Sequence, residues 1–456
     1  MKQLGYFLFL LTMLVCSCTP HEHDFIVREG RSVTLKGDYH DFSLTGEAFL
    51  TPGASGAILF HTDREGRKGY EVALRGGPID GTLKTGSLTS VRNLYRSLAA
   101  DSTWFPFDVS VVGKTIRVAI CGTDVVCYTE PEAPYRIAAF ADRLLGHGQI
   151  AFRCTEGTIQ LRDVRVTEGS QADADPSQRA SSPAYGSVLQ IPEQHDRIIR
   201  LQQQLFPVID YHVHLKGGLT KEQAHAMSMA YGINYGVAPN AGEGGVGRML
   251  ANDNEVYEYY EEVKDLPFLC GVQGEGRRWT TTFSPEALGI FDYLFTDAMT
   301  IRDQAGRIVR LYHPEEVIRD GLSDEEYMDV IVSQTVKILT NEPADIYANP
   351  TYLPDDMQPR YDALWTDERV GHVLDVLERY HIALEINPRY RIPSMKIIRM
   401  AKERGLKFTF GTNNVDADFG RLEYALDAIE QCGLTPDDIW FPSMSIRSTR
   451  HAVRYE

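Results

Sequence analysis

Cysteine is scarce in this sequence. Seven of the 456 residues are cysteine, and the five beyond the N-terminal segment are scattered along the chain. An odd and scattered set excludes a disulfide framework as the main source of stability. Cys121 and Cys127 flank the turn signal GTD. A disulfide between these two residues and a pair of free thiols are both compatible with that spacing.

Positive charge also falls short. Lysine and arginine total 46 against 63 aspartate and glutamate residues, which gives a net charge of −17. A surface without an excess of cations argues against non-specific binding of nucleic acid, because phosphate neutralisation needs clustered cations. It also disfavours electrostatic attachment to anionic lipid. Small molecules and carbohydrates remain as ligands, and no nucleic-acid partner is predicted.

The chain has no apolar run long enough to span a bilayer. The run at residues 4–15 is too short, but Lys2 precedes it and Cys18 follows it. This arrangement resembles a bacterial lipoprotein signal peptide over residues 1–18, in which Cys18 is lipidated. It predicts a cell-envelope protein, outer-membrane, periplasmic or surface-facing, whose only membrane contact is the lipid. The alternative is an ordinary signal peptide cleaved nearby.

The remaining chain divides by pattern into two domains and a linker. Residues 24–168 contain short runs of β-branched and aromatic residues between turn clusters, which predicts an all-β jelly-roll sandwich. Residues 169–188 are a linker by composition. In residues 200–456, seven or eight short apolar runs alternate with amphipathic stretches, which predicts an α/β fold, the (β/α) barrel.

Individual elements of the second domain can be predicted from the same pattern. Helices are expected at residues 255–265, 324–340, 369–380 and 393–404, and the last strand at residues 438–441. An open doubly wound sheet is the alternative to the barrel. The sequence has no glycine-rich dinucleotide fingerprint to support it.

Polar residues recur where the predicted barrel strands end, and active sites of such barrels lie at the carboxyl ends. The sharpest signal is His212-x-His214, since alternate residues of a strand face the same side and can hold one metal ion. A purely structural role for the pair is the alternative. The candidate catalytic residues are Glu275, Asp297, Glu385 and Asp210. The candidate substrate-binding residues are Arg277, Asn349, Asn387, Arg389, Asn413 and Asn414.

The C-terminal half resembles the PHP superfamily, the polymerase-and-histidinol-phosphatase-like metal-dependent barrels. The resemblance rests on the motif DYHVH at residues 210–214, on Glu275 and on residues 384–412. It implies a hydrolase with two or three metal ions, often a phosphoesterase, with His212, His214 and Glu275 as metal ligands.

Three motifs depart from the PHP pattern. The positions of its Asp-His, His-Pro and Asp-x-His motifs read Pro239-Asn240, Asn349-Pro350 and Asn413-Asn414-Val415. Amides bind hard cations weakly and transition metals less well than His or Asp. At most one or two divalent ions are therefore predicted, with zinc, manganese or iron as the candidates.

The N-terminal half resembles the concanavalin-like jelly-roll domain of bacterial 3-keto-disaccharide hydrolases. The matching motifs are SGAILFH at residues 55–61, GYEV at 69–72 and the stretch 148–166. The resemblance implies a concave sheet that faces a glycan. The candidate sugar-contacting residues are His61, Asp63, Glu71, Arg75 and Trp104.

Three functions follow from these expectations. The first is a hydrolase of a carbohydrate or keto-sugar derivative that works at the barrel site. The second is a glycan-binding lipoprotein without catalysis, which the amides at the ligand positions favour. The third is a metal-dependent phosphoesterase, which the missing ligands disfavour.

Overall fold

The computed structural model describes residues 23–66, 68–169, 192–242, 248–417 and 420–446. The predicted signal peptide with Cys18 lies outside these residues, as does almost all of the predicted linker. Within the described residues, no helix is both long enough and apolar enough to cross a membrane. Cys121 and Cys127 are both free thiols, so the structure forms no disulfide between them.

The first unit consists of two antiparallel sheets. Its strands are β1 (His23–Arg28), β2 (Arg31–Tyr39), β3 (Phe42–Leu50), β4 (Ser55–Thr62), β5 (Tyr70–Arg75), β6 (Trp104–Val112), β7 (Thr115–Ile120), β8 (Thr123–Thr129), β9 (Gly148–Glu156) and β10 (Thr158–Glu168). One sheet has the order β1-β10-β3-β6-β7-β8 and the other β2-β9-β4-β5. Inward-facing residues such as Ile58, Phe60 and Phe152 are fully buried between the sheets. The predicted sheet-rich, jelly-roll-like domain is confirmed.

The second unit contains the parallel strands and most of the helices. Its strands are β11 (Ile209–Val213), β12 (Asn234–Val237), β13 (Asn240–Gly242), β14 (Met249–Leu250), β15 (Leu269–Glu275), β16 (Tyr293–Asp297), β17 (Thr300–Arg302), β18 (Ile308–Arg310), β19 (Ile346–Ala348), β20 (Ala383–Ile386) and β21 (Phe408–Phe410). Its helices are α1 (Pro192–Gln203), α2 (Lys221–Tyr231), α3 (Asp253–Val263), α4 (Trp279–Thr282), α5 (Pro285–Leu288), α6 (Asp324–Asn341), α7 (Tyr361–Leu364), α8 (Asp367–Tyr380), α9 (Met395–Glu403) and α10 (Glu423–Cys432).

Seven of these strands close into a parallel barrel. The order is β12-β11-β21-β20-β19-β16-β15, and β12 also pairs with β15. This last pairing closes the ring, so the barrel prediction is confirmed and the open sheet is excluded. The barrel strands are buried almost throughout, because helices cover their outer faces and side chains fill the interior.

Most elements of the barrel match the sequence prediction. The four predicted helices correspond to α3, α6, α8 and α9, and no end differs by more than two residues. The strand predicted at residues 438–441 is wrong. Only Ile439 forms a bridge there, to Phe408. Short 3-10 turns begin at Pro436 and at Pro442 and leave too little extended chain between them.

The first unit joins the barrel through the segment 76–103, which connects β5 to β6. Tyr95 of this segment belongs to the hydrophobic core of the barrel. The Asn93 side chain donates to the carbonyl of Gln202 (2.9 Å), and Arg96 pairs with Asp292 (3.1 Å). Asp292 directly precedes β16, so the segment covers the amino ends of the strands. The carboxyl ends lie at the opposite end of the barrel.

Candidate active site

The carboxyl ends of the barrel strands form a polar ring, which we call the barrel mouth. The closed ring brings together side chains from β11, β15, β16, β20 and the segments after β19 and β21. The residues of the mouth are His212, His214, Gln273, Glu275, Arg277, Asp297, Asn349, Glu385, Asn387, Arg389, Asn413 and Asn414. The pattern of polar strand ends therefore does identify a single place in the fold.

His212 is fixed on both sides by protein oxygens. Its Nδ1 lies 2.8 Å from Oε2 of Glu385, and its Nε2 lies 3.2 Å from Oε1 of Gln273. His212 and Glu385 are both buried, with side-chain exposures of 0% and 1%. The backbone N–H of Asn349 donates to the other oxygen of Glu385 at 2.9 Å. The pair is thus a rigid, solvent-excluded part of the mouth.

His214 is held as a neutral ring. Its Nδ1 lies 2.8 Å from the carbonyl oxygen of Ala238. Burial, followed by the electrostatic influence of the nearby His212 and Lys216 side chains, lowers the pKa of His214 well below its usual range. Asn414 fixes the backbone, since its Oδ1 accepts from the His214 N–H (2.7 Å) and its Nδ2 donates to the His214 carbonyl (2.9 Å). Asn414 therefore positions β11 rather than facing a ligand.

The expected metal ligands do not converge on one ion in this arrangement. Among the described residues, only His313, Glu315 and Glu316 place three such ligand atoms within 4.8 Å of one another, and they lie after β18. Both ring nitrogens of His212 already face oxygen atoms of Glu385 and Gln273. The positions of these side chains do not fit a single ion held by His212, His214 and Glu275 together. The zinc, manganese or iron ion stays a prediction.

Glu275 and Asp297 form a pair of acidic side chains in the mouth. Burial, followed by the charge of Asp297, raises the pKa of Glu275 to about 8, although Arg277 and Lys216 oppose the shift. Asp297 accepts hydrogen bonds from the Met299 N–H (3.0 Å), Gln273 (3.2 Å) and Asn349 (3.1 Å). At neutral pH Glu275 is therefore mostly protonated, and it lies beside the hydrogen-bonded side chain of Asp297.

Three asparagines form an amide network between these acidic groups. The Oδ1 of Asn349 accepts from the side chains of Asn387 (2.8 Å) and Asn413 (3.0 Å). Asn349 and Asn413 both have a positive φ of 45°, a conformation that asparagine tolerates better than most residues. Such strained positions cluster at functional sites. The network orients Asp297 and Glu385 and leaves few amide groups free for a ligand.

The other predicted residues separate into buried and exposed groups. Asp210 is fully buried, and its carboxylate accepts from the N–H (3.0 Å) and hydroxyl (2.5 Å) of Thr412. Asp210 therefore ties β11 to the end of β21, and its catalytic role stays a prediction. Arg277 donates from Nη1 to the Asp297 carbonyl (3.0 Å) and pairs with the buried Glu342 (3.0 Å). Arg389 is exposed.

Sequence reasoning missed three side chains of the mouth, namely Lys216, Tyr312 and Tyr390. Burial and the charges of Glu275 and Asp297 raise the pKa of Tyr312 to about 12, so this phenol lies beside the carboxylate pair. The Tyr390 ring lies 4.8 Å from the Arg389 guanidinium and 5.1 Å from the ring of Tyr352. These residues lie beyond the strand ends, and their only sequence signal is proximity to residues such as Arg389 and His214.

The five predicted sugar contacts of the sandwich do not share one face. His61 is buried, its ring nitrogens lying 2.8 Å from the His40 carbonyl and 3.2 Å from the Gly146 N–H. Trp104 belongs to the six-stranded sheet, and the Arg162 guanidinium covers its ring at 4.3 Å. Glu71 and Arg75 belong to β5 in the other sheet, while Asp63 directly follows β4. Sugar contact by any of the five stays a prediction.

Glu71 lies on the outer face of the four-stranded sheet. Arg153 pairs with it at 2.8 Å and Arg143 at 3.6 Å. Leu59 and Ala151 stand in register with Glu71 on β4 and β9 and form a small apolar floor together with Ala57. This face therefore has charged side chains next to a small apolar surface.

Fold and site together define a class of protein: a β-sandwich joined to a closed seven-stranded parallel barrel with a carboxylate pair at its carboxyl end. Residues 22–167 match the family model of the 3-keto-alpha-glucoside-1,2-lyase-like domain. The match covers the sandwich and ends before the barrel begins. It confirms the resemblance predicted for the N-terminal half, while the PHP resemblance of the barrel stays a prediction.

Two of the solved structures that are similar to this chain each match about a third of it. A candidate glycosyl hydrolase from Parabacteroides distasonis is 12% identical, with a TM-score of 0.29, over 32% of this chain and 80% of that chain. A carbohydrate-binding module from Bacillus subtilis is 13% identical, with a TM-score of 0.22, over 32% of this chain and 84% of that chain. No match was found among the curated proteins.

Proposed function

We propose that this protein is a hydrolase of a carbohydrate derivative and that the reaction takes place at the barrel mouth. The observation that carries the proposal is Glu275, an acid with its pKa raised to about 8 next to the oriented carboxylate of Asp297. A carboxylic acid that keeps its proton at neutral pH, beside a second carboxyl group, is what acid–base hydrolysis of a glycosidic bond needs. Attachment to the cell envelope through Cys18 is part of the proposal and rests on the sequence alone.

The proposed reaction uses only side chains of this chain and water. Glu275 donates its proton to the departing oxygen as the bond between that oxygen and the sugar carbon breaks. The oxygen of a water molecule forms the new bond to the same carbon, and Asp297 takes up the proton that the water loses. Afterwards Glu275 is ionised and Asp297 is protonated, so exchange of protons with solvent restores the starting state.

Two further observations support a carbohydrate as substrate. The family model that matches the sandwich describes a keto-glucoside lyase-like domain. Tyr312 and Tyr390 flank the carboxylate pair, and aromatic rings bind the apolar faces of sugars while their hydroxyls form hydrogen bonds. The half-buried Tyr312 is the better placed of the two for this contact, because Glu275 and Asp297 both act on its hydroxyl.

The Glu275→Gln variant tests the proposal on a panel of glycosides, keto-glycosides and phosphate esters. We expect the variant to lose about 100-fold or more in kcat on the best substrate, since a missing general acid costs about 10²–10⁴-fold. The matched control is Glu403→Gln, on the exposed surface of α9, which should retain wild-type turnover. Wild-type kcat in the Glu275→Gln variant would exclude Glu275 as the acid.

A second candidate function is glycan binding by the sandwich without catalysis there. The outer face around Glu71, with Arg153 and Arg143 beside the floor of Leu59 and Ala151, favours it. Glu71→Ala should then abolish binding to a glycan array while the barrel reaction continues. Unchanged array binding by this variant would remove the face from consideration.

A further inference from the structure

Two cations of the mouth lie close to one loop, the segment that follows β21. Lys216 lies two residues beyond His214, and Arg389 lies after β20. Arg389 donates from Nη1 to the carbonyl oxygen of Asn413 at 3.0 Å. Gly217, next to Lys216, packs against the same loop, where a Cβ on this glycine would meet the Asp416 Cα and would lie 3.0 Å from the Val415 carbonyl oxygen.

Within the described residues, neither cation forms an ion pair with an acidic side chain. The Arg389 guanidinium stacks on the Tyr390 ring at 4.8 Å. The charged groups that act on the Lys216 amine are Arg389, which repels it, and Glu275. Both side chains reach solvent at the mouth. Two like charges without a counter-charge repel each other, and a bound anion relieves this repulsion.

Arginine and lysine at such a position suit an oxyacid group. A guanidinium offers a planar fork of donors to carboxylate, sulfate or phosphate oxygens, and an ammonium adds a compact charge. The chain as a whole has a net charge of −17. Two cations without an ion-pair partner among the described residues are therefore unusual in this protein. A neutral sugar would leave the repulsion between the two cations in place.

We propose that the carbohydrate substrate carries an anionic oxyacid group and that Lys216 and Arg389 bind this group at the barrel mouth. The inference rests on the proposed function for the position of the sugar, because Lys216 and Glu275 interact electrostatically. Carboxylate, sulfate and phosphate share the chemistry that the two cations recognise. Lys216 and Arg389 are then residues that determine specificity and take no part in the proton transfers.

Isothermal titration calorimetry with the intact protein tests the inference directly. The probes are D-glucuronate, D-glucose 6-sulfate, D-glucose 6-phosphate and D-glucose, each at low and at high salt. We expect at least one anionic sugar to bind about tenfold or more tightly than glucose and this preference to weaken at high salt. The preferred probe distinguishes carboxylate, sulfate and phosphate as the source of the charge.

The variants separate a specific site from general electrostatics. The preference should disappear in the double variant Lys216→Met/Arg389→Met and weaken in each single variant. Matched controls are Lys337→Met, exposed on α6, and Arg379→Met, an exposed arginine that stacks on Tyr380 at 5.5 Å. Both controls should keep the wild-type preference. Equal affinity for glucose and all anionic probes, or a preference that survives in the double variant, would overturn the inference.

The same titration distinguishes this inference from the proposed reaction. Glu275→Gln should bind the anionic sugar with the wild-type preference, because binding requires no proton transfer. If that variant also turned over substrate normally, the proposed reaction would fail while the anion site stood. If turnover were lost in Glu275→Gln but no probe showed a charge preference, the proposed reaction would stand and the anion site would fail.

Discussion

Glu275 shows how the fold changes the chemistry of a single residue. Burial and the charge of Asp297 raise its pKa to about 8, so it is mostly protonated at pH 7. Because a general acid works only in its protonated form, kcat/KM should fall as the pH rises through about 8. A pH–rate profile of the wild-type enzyme checks this. The residual activity of Glu275→Gln should not fall in this way as the pH rises. An identical fall in the variant would show that another group is responsible for it.

Residue-level prediction succeeded where strand geometry alone decided the outcome. His212 and His214 share a face because side chains alternate along a strand, and Glu275 and Asp297 both end strands of the same barrel. The partners of His212 could not be predicted, since Gln273 and Glu385 are 61 and 173 residues away in the chain. Only these partners show that both ring nitrogens of His212 are engaged.

Gly411 illustrates, at the scale of an element, how a strand end shapes the mouth. A Cβ at this position would meet the Glu385 carboxylate and would lie 2.7 Å from the His212 Cβ. The end of β21 approaches the His212–Glu385 pair closely only because residue 411 has no side chain. Gly411→Ala should therefore destabilise the protein by about 1–3 kcal/mol, the usual cost of overpacking, and displace the pair.

Thermal unfolding measures this effect, and a second glycine provides the control. On α8, a Cβ at Gly371 would have no neighbour closer than 3.6 Å. Gly371→Ala should be neutral or slightly stabilising, since alanine favours a helix more than glycine does. A melting temperature for Gly411→Ala as high as that of Gly371→Ala would show that the mouth tolerates the extra methyl group.

At this scale the sequence predicted elements well when they were long. Helix α6 has 18 residues and a capping box between Ser323 and Glu326, so both its periodicity and its start are visible in the sequence. The segment at residues 438–441 is short and apolar, and such a run does not distinguish a strand from a buried turn. The structure of this segment depended on Pro436 and Pro442, which begin the 3-10 turns on either side of it.

At the scale of the whole molecule, His225 joins the two units. It lies on α2 of the barrel, and its Nε2 donates to the Asp124 carbonyl oxygen of the sandwich at 2.7 Å. Burial, opposed by that hydrogen bond, lowers the pKa of His225 to about 4, and Arg92 and Asp124 are the charged groups that act on it. The folded protein thus holds His225 neutral. The contribution of His225 to the free energy of unfolding is complete above the pKa of about 6.5 that histidine has in the unfolded chain. That contribution is lost as the pH falls towards 4.

Acidification should therefore weaken the contact between the units. Between pH 7 and pH 4, His225 should cost the wild-type protein on the order of 2–3 kcal/mol of unfolding free energy. His225→Gln keeps a donor for the Asp124 carbonyl but cannot become charged, so it should lose less on acidification. Urea unfolding at pH 7 and 4.5 measures this loss of unfolding free energy in each protein. The control is His372→Gln, because His372 is an exposed residue of α8. An acid loss in His225→Gln equal to that of wild type would contradict this role.

The arrangement of the units also limits the function. Tyr95 and Arg96 of the sandwich segment lie at the amino ends of the barrel strands, whereas the carboxylate pair lies at the carboxyl ends. A single ligand site shared by the sandwich and the mouth is therefore excluded for the described residues. The outer face of the sandwich and the mouth have to be tested separately.

The sequence by itself determined the two domains, the alternation of strands and helices in the second domain, and the strand ends that carry Glu275 and Asp297. These properties depend on hydrophobic periodicity and on alternation along strands, which are local and can be read from neighbouring residues. The tertiary structure alone decided the closure of β12 on β15, the partners of His212, the raised pKa of Glu275 and the insertion of residues 76–103 under the barrel. Each of these depends on burial and on contacts between distant parts of the chain, and local sequence does not record which distant groups will meet.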